Sequence, residues 1–535
     1  MYKKFLIIFF IFTSTSAFAQ LANNFKIFPS SVTQTEPVIC FNPTNPLMMF
    51  ASAVTVNTST GEKSEGIYVS TDGGFTFTGS DVCNGPAANN HGGDPGVAID
   101  KNGVFVLTHI GLTFIGVYGH YSTDFGSNWS VSYQITNQTP EDKGTTISDN
   151  DPSSPYYGNV YTAWVKFISP YPVTYSYTSN GGLNWTSPAS INPNPPSRCS
   201  GSEIKVGNGG KLLCAWSTVT SSTPYYENNC GFGYSTNAGV NWTINQSIFA
   251  MNGIGGLLPE KNNIRVNGIP RMAIDMTGGS RNGWIYIVTN EKNLSPAGSD
   301  PDIVFHRSTD GGNTWSAGIR VNQDALNNGK IQYFPAICVD ELGGIDVLYY
   351  DDRNTTSDSA QVYLSRSNDG GNTWQDFRVS SHTFQPKPII GFSSQYQGDF
   401  ISLASKNGKL YPYWMDDYSP DYNGIYQIWS SVINLNQIGI RKIESTVPTD
   451  FSLSPNFPNP FNPETNIEFS LPKSGILSLK IYDINGREVE NLFNGKTEAG
   501  KYRTVWNAKG NASGVYFLRA VFEGQIQTER LILTK

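Results

Sequence analysis

The stretch STDGGFTF, residues 70–77, decides the fold, because the chain repeats it five more times. The copies are STDFGSNW from Ser122, TSNGGLNW from Thr178, STNAGVNW from Ser235, STDGGNTW from Ser308 and SNDGGNTW from Ser367. Their acidic or amide positions, Asp72, Asp124, Asn180, Asn237, Asp310 and Asp369, are spaced 52, 56, 57, 73 and 59 residues apart. Self-similarity at such a period marks a repeat architecture. Each copy lies between two alternating strand patterns and reads as a hairpin turn. Asp or Asn accepts hydrogen bonds from backbone N–H groups ahead of it, Gly supplies a positive φ, and the closing aromatic folds back over the turn. These six positions are read as structural.

Between the turns runs a second pattern: a leading residue, a short apolar strand, a turn, then a Val/Tyr/Trp-rich strand. Its seven copies are Glu36-PVICFN, Asp94-PGVAID, Asp142-KGTTIS, Ser202-EIKVGN, Ile269-PRMAID, Phe334-PAICVD and Asp399-FISLAS. The seventh unit lacks its box, and NFKIFPSSV, residues 24–32, resembles the outer strand that follows each box elsewhere. That segment completes a seventh sheet. Radial repetition of four-stranded sheets gives a β-propeller, which leaves no long exposed edge. The predicted class is all-β: a seven-bladed propeller (six blades the alternative) over residues 20–436, then a linker at 437–452 and a small Ig-like β-sandwich at 453–535.

Composition narrows the class of function. The chain has 535 residues, a net charge of −7 and 15% charged residues, against 38% apolar and 13% aromatic. It can bury a core and is not disordered. With no Lys/Arg run it carries no nucleic-acid footprint. Lys3 and Lys4, the apolar run at 5–12 and Ala17-Phe18-Ala19 form a signal peptide, residues 1–19. No later stretch reaches transmembrane length. Cys40 and Cys338 read as buried apolar residues, while Cys199, Cys214 and Cys230 lie close enough in sequence for one bridge. His91, His109, His120, His306 and His382 show no metal-ligand spacing and read as incidental.

The boxes resemble the Asp boxes (BNR repeats) of sialidases and of many non-enzymatic propellers, over roughly residues 23–436. The segment after four closely spaced prolines, Pro455, Pro458, Pro460 and Pro463, resembles the type IX secretion-system sorting domain through NPFNPET, IYDINGRE, AGKYRTVWNA and ASGVYFLRA. That resemblance implies a partner in the type IX machinery and a secreted or outer-membrane-surface destination in a Gram-negative bacterium. The sialidase resemblance implies a glycan or glycoprotein partner and, in an active enzyme, an arginine triad gripping the sugar carboxylate. This chain departs from that: Glu36 stands where the first arginine is wanted, and Arg198 is the only arginine between residues 20 and 260.

The leading residues suggest an acidic funnel. Inner strands of a propeller start around one end of its axis, so Glu36, Asp94, Asp142, Glu203 and Asp399 are candidate catalytic carboxylates. The second strands end at the same face with Trp164, Trp216, Asp351, Asp352, Arg353, Trp414, Asp416 and Asp417, which with Arg271 are candidate ligand-binding residues. Carboxylates beside aromatic faces suit carbohydrate, and a carboxyl pair suits acid–base work. They also suit Ca²⁺, which takes six to eight oxygens. Three readings stay open: glycan recognition, glycoside hydrolysis (sialidase or other), and a protein-binding adhesion role without catalysis.

Overall fold

The computed structural model describes residues 22–84, 91–390, 395–418, 425–435, 438–444, 447–497, 499–508 and 511–535. The stretch read as a signal peptide, 1–19, lies outside them. The chain is all-β and its strands pair almost wholly antiparallel.

Apart from a two-stranded hairpin, the described residues of 24–434 form four four-stranded sheets, one of five strands and one of seven, the last dividing into two groups of four at a shared strand. Their leading strands are Thr33–Phe41, His91–Ile99, the second half of Tyr133–Ser148, Cys199–Gly207, Arg271–Ile274, Gln332–Val339 and Ser402–Lys406. The long strand Tyr133–Ser148 is at once the last strand of the second sheet and the first of the third. Each leading strand contacts that of the next sheet, and the seventh contacts the first. The seventh sheet is completed from the other end of the chain: Asn24–Lys26 pairs with Gln427–Ser431, Asn24 opposite Ser431.

The six boxes share one geometry. In the fifth, the Ser308 hydroxyl donates to Asp310 Oδ1 (2.8 Å), as do the N–H groups of Asn313 (3.1 Å) and Thr314 (2.9 Å). Gly312 N–H donates back to Ser308 Oγ at 2.8 Å. The acidic side chain thus reaches three and four residues on, farther than a simple Asx turn. The closing aromatic does not cover its own turn alone but packs on the preceding sheet. Trp129 meets Phe50 (centroids 5.4 Å), Trp242 meets Tyr175 (5.5 Å), Trp315 meets Phe232 (5.3 Å) and Trp374 meets Phe305 (5.2 Å). Phe77 of the first box meets Tyr413 of the seventh sheet. A Cβ at Gly312 or Gly371 would stand 2.2 or 2.3 Å from the Phe232 or Phe305 ring, and both glycines have positive φ. Glycine is required there twice over.

Residues 441–533 form two four-stranded sheets around one core that includes Phe469, Leu479, Trp506 and Leu518. Strand Arg441–Glu444, inside the stretch read as linker, pairs with Gly500–Asn507. The second unit therefore starts before its proline cluster, because an edge strand needs only one face of apolar residues and escapes a compositional reading. The expected bridge among Cys199, Cys214 and Cys230 is corrected: all six cysteines are free thiols. Cys214 stands opposite Gly233 and Cys230 opposite Ser217, and the two side chains pack into different inter-sheet cores. Burial pushes the Cys199 thiol up to about 11 and leaves it inert.

Because each box aromatic joins two sheets, Trp374→Ala should cost about 3–5 kcal/mol, read as a lower urea midpoint for the first unfolding transition. A loss below about 1 kcal/mol would mean that the ring merely caps its own turn.

Candidate functional site

Four of the five leading strands proposed for catalysis bring their carboxylates to one end of the cycle. A β-bulge opens the head of several leading strands, and at Glu36 and Asp94 the chain turns through φ 55° and 52°. Positive φ in a non-glycine residue costs of order 1–3 kcal/mol and persists where the surroundings fix it. Here Glu36 Oε1 accepts the Asp399 N–H at 2.9 Å. Asp142 and Asp94 share a side-chain hydrogen bond. One carboxyl of such a pair must carry a proton. Burial first, then the Asp94 and Asp399 charges, hold the Asp142 carboxyl well above the usual carboxylate range, with Arg265 opposing.

Two further groups complete the cluster. Arg265 forms an ion pair with Asp399, and the charges of Asp399, Asp142 and Glu36 raise its own pKa. Tyr396 hydrogen-bonds Glu36, and burial together with the charges of Glu36, Asp399 and Asp94 keeps it a neutral phenol. Asn267 Nδ2 donates to the Asp399 carbonyl at 3.0 Å. Glu36 and Asp94 are buried, whereas Asp142, Asp399, Arg265 and Tyr396 are partly open to solvent. The arrangement gathers one protonated carboxyl, three carboxylates, a phenol and one guanidinium.

Arg265 and Tyr396 escape a repeat-based reading because neither belongs to the repeat. Arg265 rides on an inserted hairpin, Gly256–Leu258 paired with Ile264–Val266. The signal was the 73-residue spacing between Asn237 and Asp310, longer than every other interval. The hairpin is anchored by Lys261, fully buried and ion-paired with Asp352 at 2.5 Å. Its ammonium also donates to the Ser359 carbonyl at 2.9 Å. Arg265 N–H in turn donates to the Gln395 carbonyl at 2.8 Å, beside Tyr396.

The remaining candidates are placed elsewhere. Glu203 is corrected by register: its bulge aligns Gly201, not Ser202, with Glu36. Glu203 therefore lines the central channel, paired with Lys205 (2.7 Å) and Arg271 (3.3 Å). That channel is a cavity of about 110 Å³ lined from all seven sheets. Trp164, Trp216 and Trp414 were expected to offer stacking faces, but all three are fully buried in inter-sheet cores. Asp416 accepts from Trp414 Nε1 (2.6 Å) and lies 2.9 Å from His382 Nε2. Asp417 pairs with Lys387 (2.7 Å), and Asp351 with Arg353 (2.6 Å). Arg353 also holds Asp376 and lies over the Tyr363 ring. These groups, with Asp352, satisfy one another and form structural networks. Nor are the histidines all incidental: His91, His109 and His120 gather in one buried cluster. The acid cluster fits Ca²⁺ poorly, since a shared proton and Arg265 already offset its charge.

Residues 456–534 match the family model of the secretion system C-terminal sorting domain. The chain is a secreted or surface protein bearing a type IX sorting domain. No helix among the described residues is long and apolar enough to cross a membrane. No curated protein matches the chain. Among solved structures it is similar to a PL25 polysaccharide lyase described as an ulvan lyase: 12% identity, TM-score 0.48, 77% of this chain and 96% of that one covered. It is also similar to the α-L-arabinofuranosidase Arb93A from Fusarium graminearum (13%, TM-score 0.39, 66% and 96% covered). An intramolecular trans-sialidase from Ruminococcus gnavus matches at 14%, TM-score 0.38, with 77% and 97% covered.

Lys261→Met leaves Asp352 buried without its cation and should destabilise the chain by about 3–5 kcal/mol. Adding Asp352→Asn should recover part of that loss in the same denaturation assay. Equal stability of the two variants would mean the pair contributes nothing.

Proposed function

We propose that the chain is an exported Asp-box β-propeller of seven blades with an Ig-like sorting domain, and that it recognises and cleaves an extracellular glycan at the axial acid cluster. The observation that carries this is the hydrogen-bonded Asp94–Asp142 pair, set beside Arg265, Glu36 and Tyr396. The seven sheets in cyclic contact support the blade count. The six repeated turns support the Asp-box assignment.

A carboxyl kept protonated at neutral pH is a general acid. In this reading Asp142 gives its proton to the leaving glycosidic oxygen. Glu36 and Asp399 stabilise positive charge growing at the anomeric carbon. Water supplies the incoming hydroxyl and returns a proton to the cluster. Arg265 would grip an acidic substituent on the sugar, as guanidinium does with carboxylates and sulfates. A sialidase proper is disfavoured, because Arg271 lies in the channel against Glu203 and leaves Arg265 as the arginine of the cluster.

A panel of extracellular polysaccharides and sialosides, scored for released sugar alongside a glycan array, tests the reading. Asp142→Asn should lower kcat about 10²–10⁴-fold with array binding retained. Because the active form carries the Asp142 proton, kcat should be high at neutral pH and fall as pH rises through that raised pKa. Wild-type turnover in Asp142→Asn would sink the catalytic role. Array binding without turnover would leave a lectin, and silence in both assays would point to a protein-binding propeller.

A further inference from the structure

The histidine cluster lies at the seam between the first two sheets and uses none of the groups of the acid cluster. His91 begins the second sheet's leading strand, and His109 and His120 stand diagonally across its next two strands, opposite Tyr118 and Leu107. Glu65 reaches in from the first sheet's strand Glu62–Ser70. All four residues are buried.

The hydrogen-bond partners fix the tautomers. His109 Nδ1 lies 2.8 Å from the Ile110 carbonyl oxygen, and His120 Nδ1 lies 3.3 Å from that of Ser130. A carbonyl only accepts, so in each ring Nδ1 carries the proton and Nε2 keeps its lone pair. His91 Nδ1 likewise meets the Glu65 carboxylate, and its Nε2 has no partner. Three bare Nε2 lone pairs result. Two of them confront each other, His109 Nε2 to His120 Nε2, at 3.1 Å. Such a face-off is repulsive unless something positive stands between.

We propose that His91, His109 and His120 bind one divalent transition-metal ion, Zn²⁺ foremost, as a structural tie between the first two sheets. One ring nitrogen from each histidine lies within 4.8 Å of the other two. Zn–N bonds of about 2.0–2.1 Å in tetrahedral geometry separate ligand nitrogens by roughly 3.3 Å, close to the His109–His120 spacing. Metal-bound histidines almost always donate their other N–H to a carboxylate or backbone carbonyl. That second set is already present: Glu65, Ile110 and Ser130. His91 stacks on His109 with centroids 4.1 Å apart, so its ring must swing out of that stack to bind. Its strand leads within three residues to Asp94, so the ion would stiffen the backbone that holds the acid pair.

The test uses the full chain, stripped with EDTA, desalted, and titrated with ZnCl₂ in a calorimeter and with CoCl₂ in a spectrophotometer. One equivalent of Zn²⁺ and the intense visible bands of low-coordinate Co²⁺ are expected, with a higher Tm for the loaded protein. His109→Asn should abolish both signals. Glu65→Gln, which keeps an acceptor but loses the charge, should weaken Zn²⁺ binding 10–100-fold. If His109→Asn does not fold, the wild-type stoichiometry, the Co²⁺ spectrum and the Glu65→Gln shift decide. No stoichiometric Zn²⁺ uptake by the wild type, or unchanged uptake in His109→Asn, overturns the proposal.

Discussion

Every four-stranded sheet in the first unit has two apolar faces, and water can cover neither. The burial patterns say so: Met49–Asn57, Ile285–Glu291, Ile345–Asp351 and Lys409–Asp416 are buried nearly end to end. A strand buried on both faces needs a neighbouring sheet on each side. A row of such sheets leaves two raw faces unless it returns on itself. The contact of the seventh leading strand with the first, and the pairing of Asn24–Lys26 with Gln427–Ser431, remove both. Everything else in the unit follows from that closure.

The boxes are the local device that makes it work. An acidic or amide oxygen and a hydroxyl hold each turn, while the aromatic behind them is sent into the preceding sheet. Hydrogen bonds from Thr314 hold Asp310 at about 2, so it remains a strong acceptor at any physiological pH. The turn is thus built from exposed polar chemistry, and its energetic reach comes from the ring, whose burial brings about 150–250 Å² out of water. Two turns carry Asn in place of Asp and keep the hydroxyl and i+4 N–H bonds to the side-chain oxygen. The acceptor oxygen matters there, not the charge.

The heads of several leading strands come together, so carboxylates far apart in sequence repel one another unless something intervenes. Asp94 and Asp142 share a proton; Asp399 takes Arg265; Glu36 takes the Asp399 N–H and the Tyr396 hydroxyl. The two compensating side chains come from outside the repeat, on a hairpin pinned by the buried Lys261–Asp352 pair and on the segment before the seventh sheet. Elsewhere the same demand for compensation consumed the acids. Asp351, Asp352, Asp416 and Asp417 end the second strands, yet each is spent on a cation, an indole or an imidazole.

The sequence alone determined the repeat, the strand order, the six turns, the N-terminal strand that completes the seventh sheet and the identity of the exported C-terminal unit. All of these are written in local patterns, where spacing and residue type carry the physics. It also singled out Glu36, Asp94, Asp142 and Asp399 as candidates, and the fold brings these four groups near one another. Tertiary structure decided the rest. Trp164, Trp216 and Trp414 looked like a ligand face and are core, since a strand's end does not reveal what lies beyond it. Glu203 moved into the channel through a one-residue bulge that composition cannot register. Arg265, Tyr396 and the three-histidine cluster appear only when the chain is folded, because their neighbours come from other strands, and no spacing rule joins residues that meet across sheets.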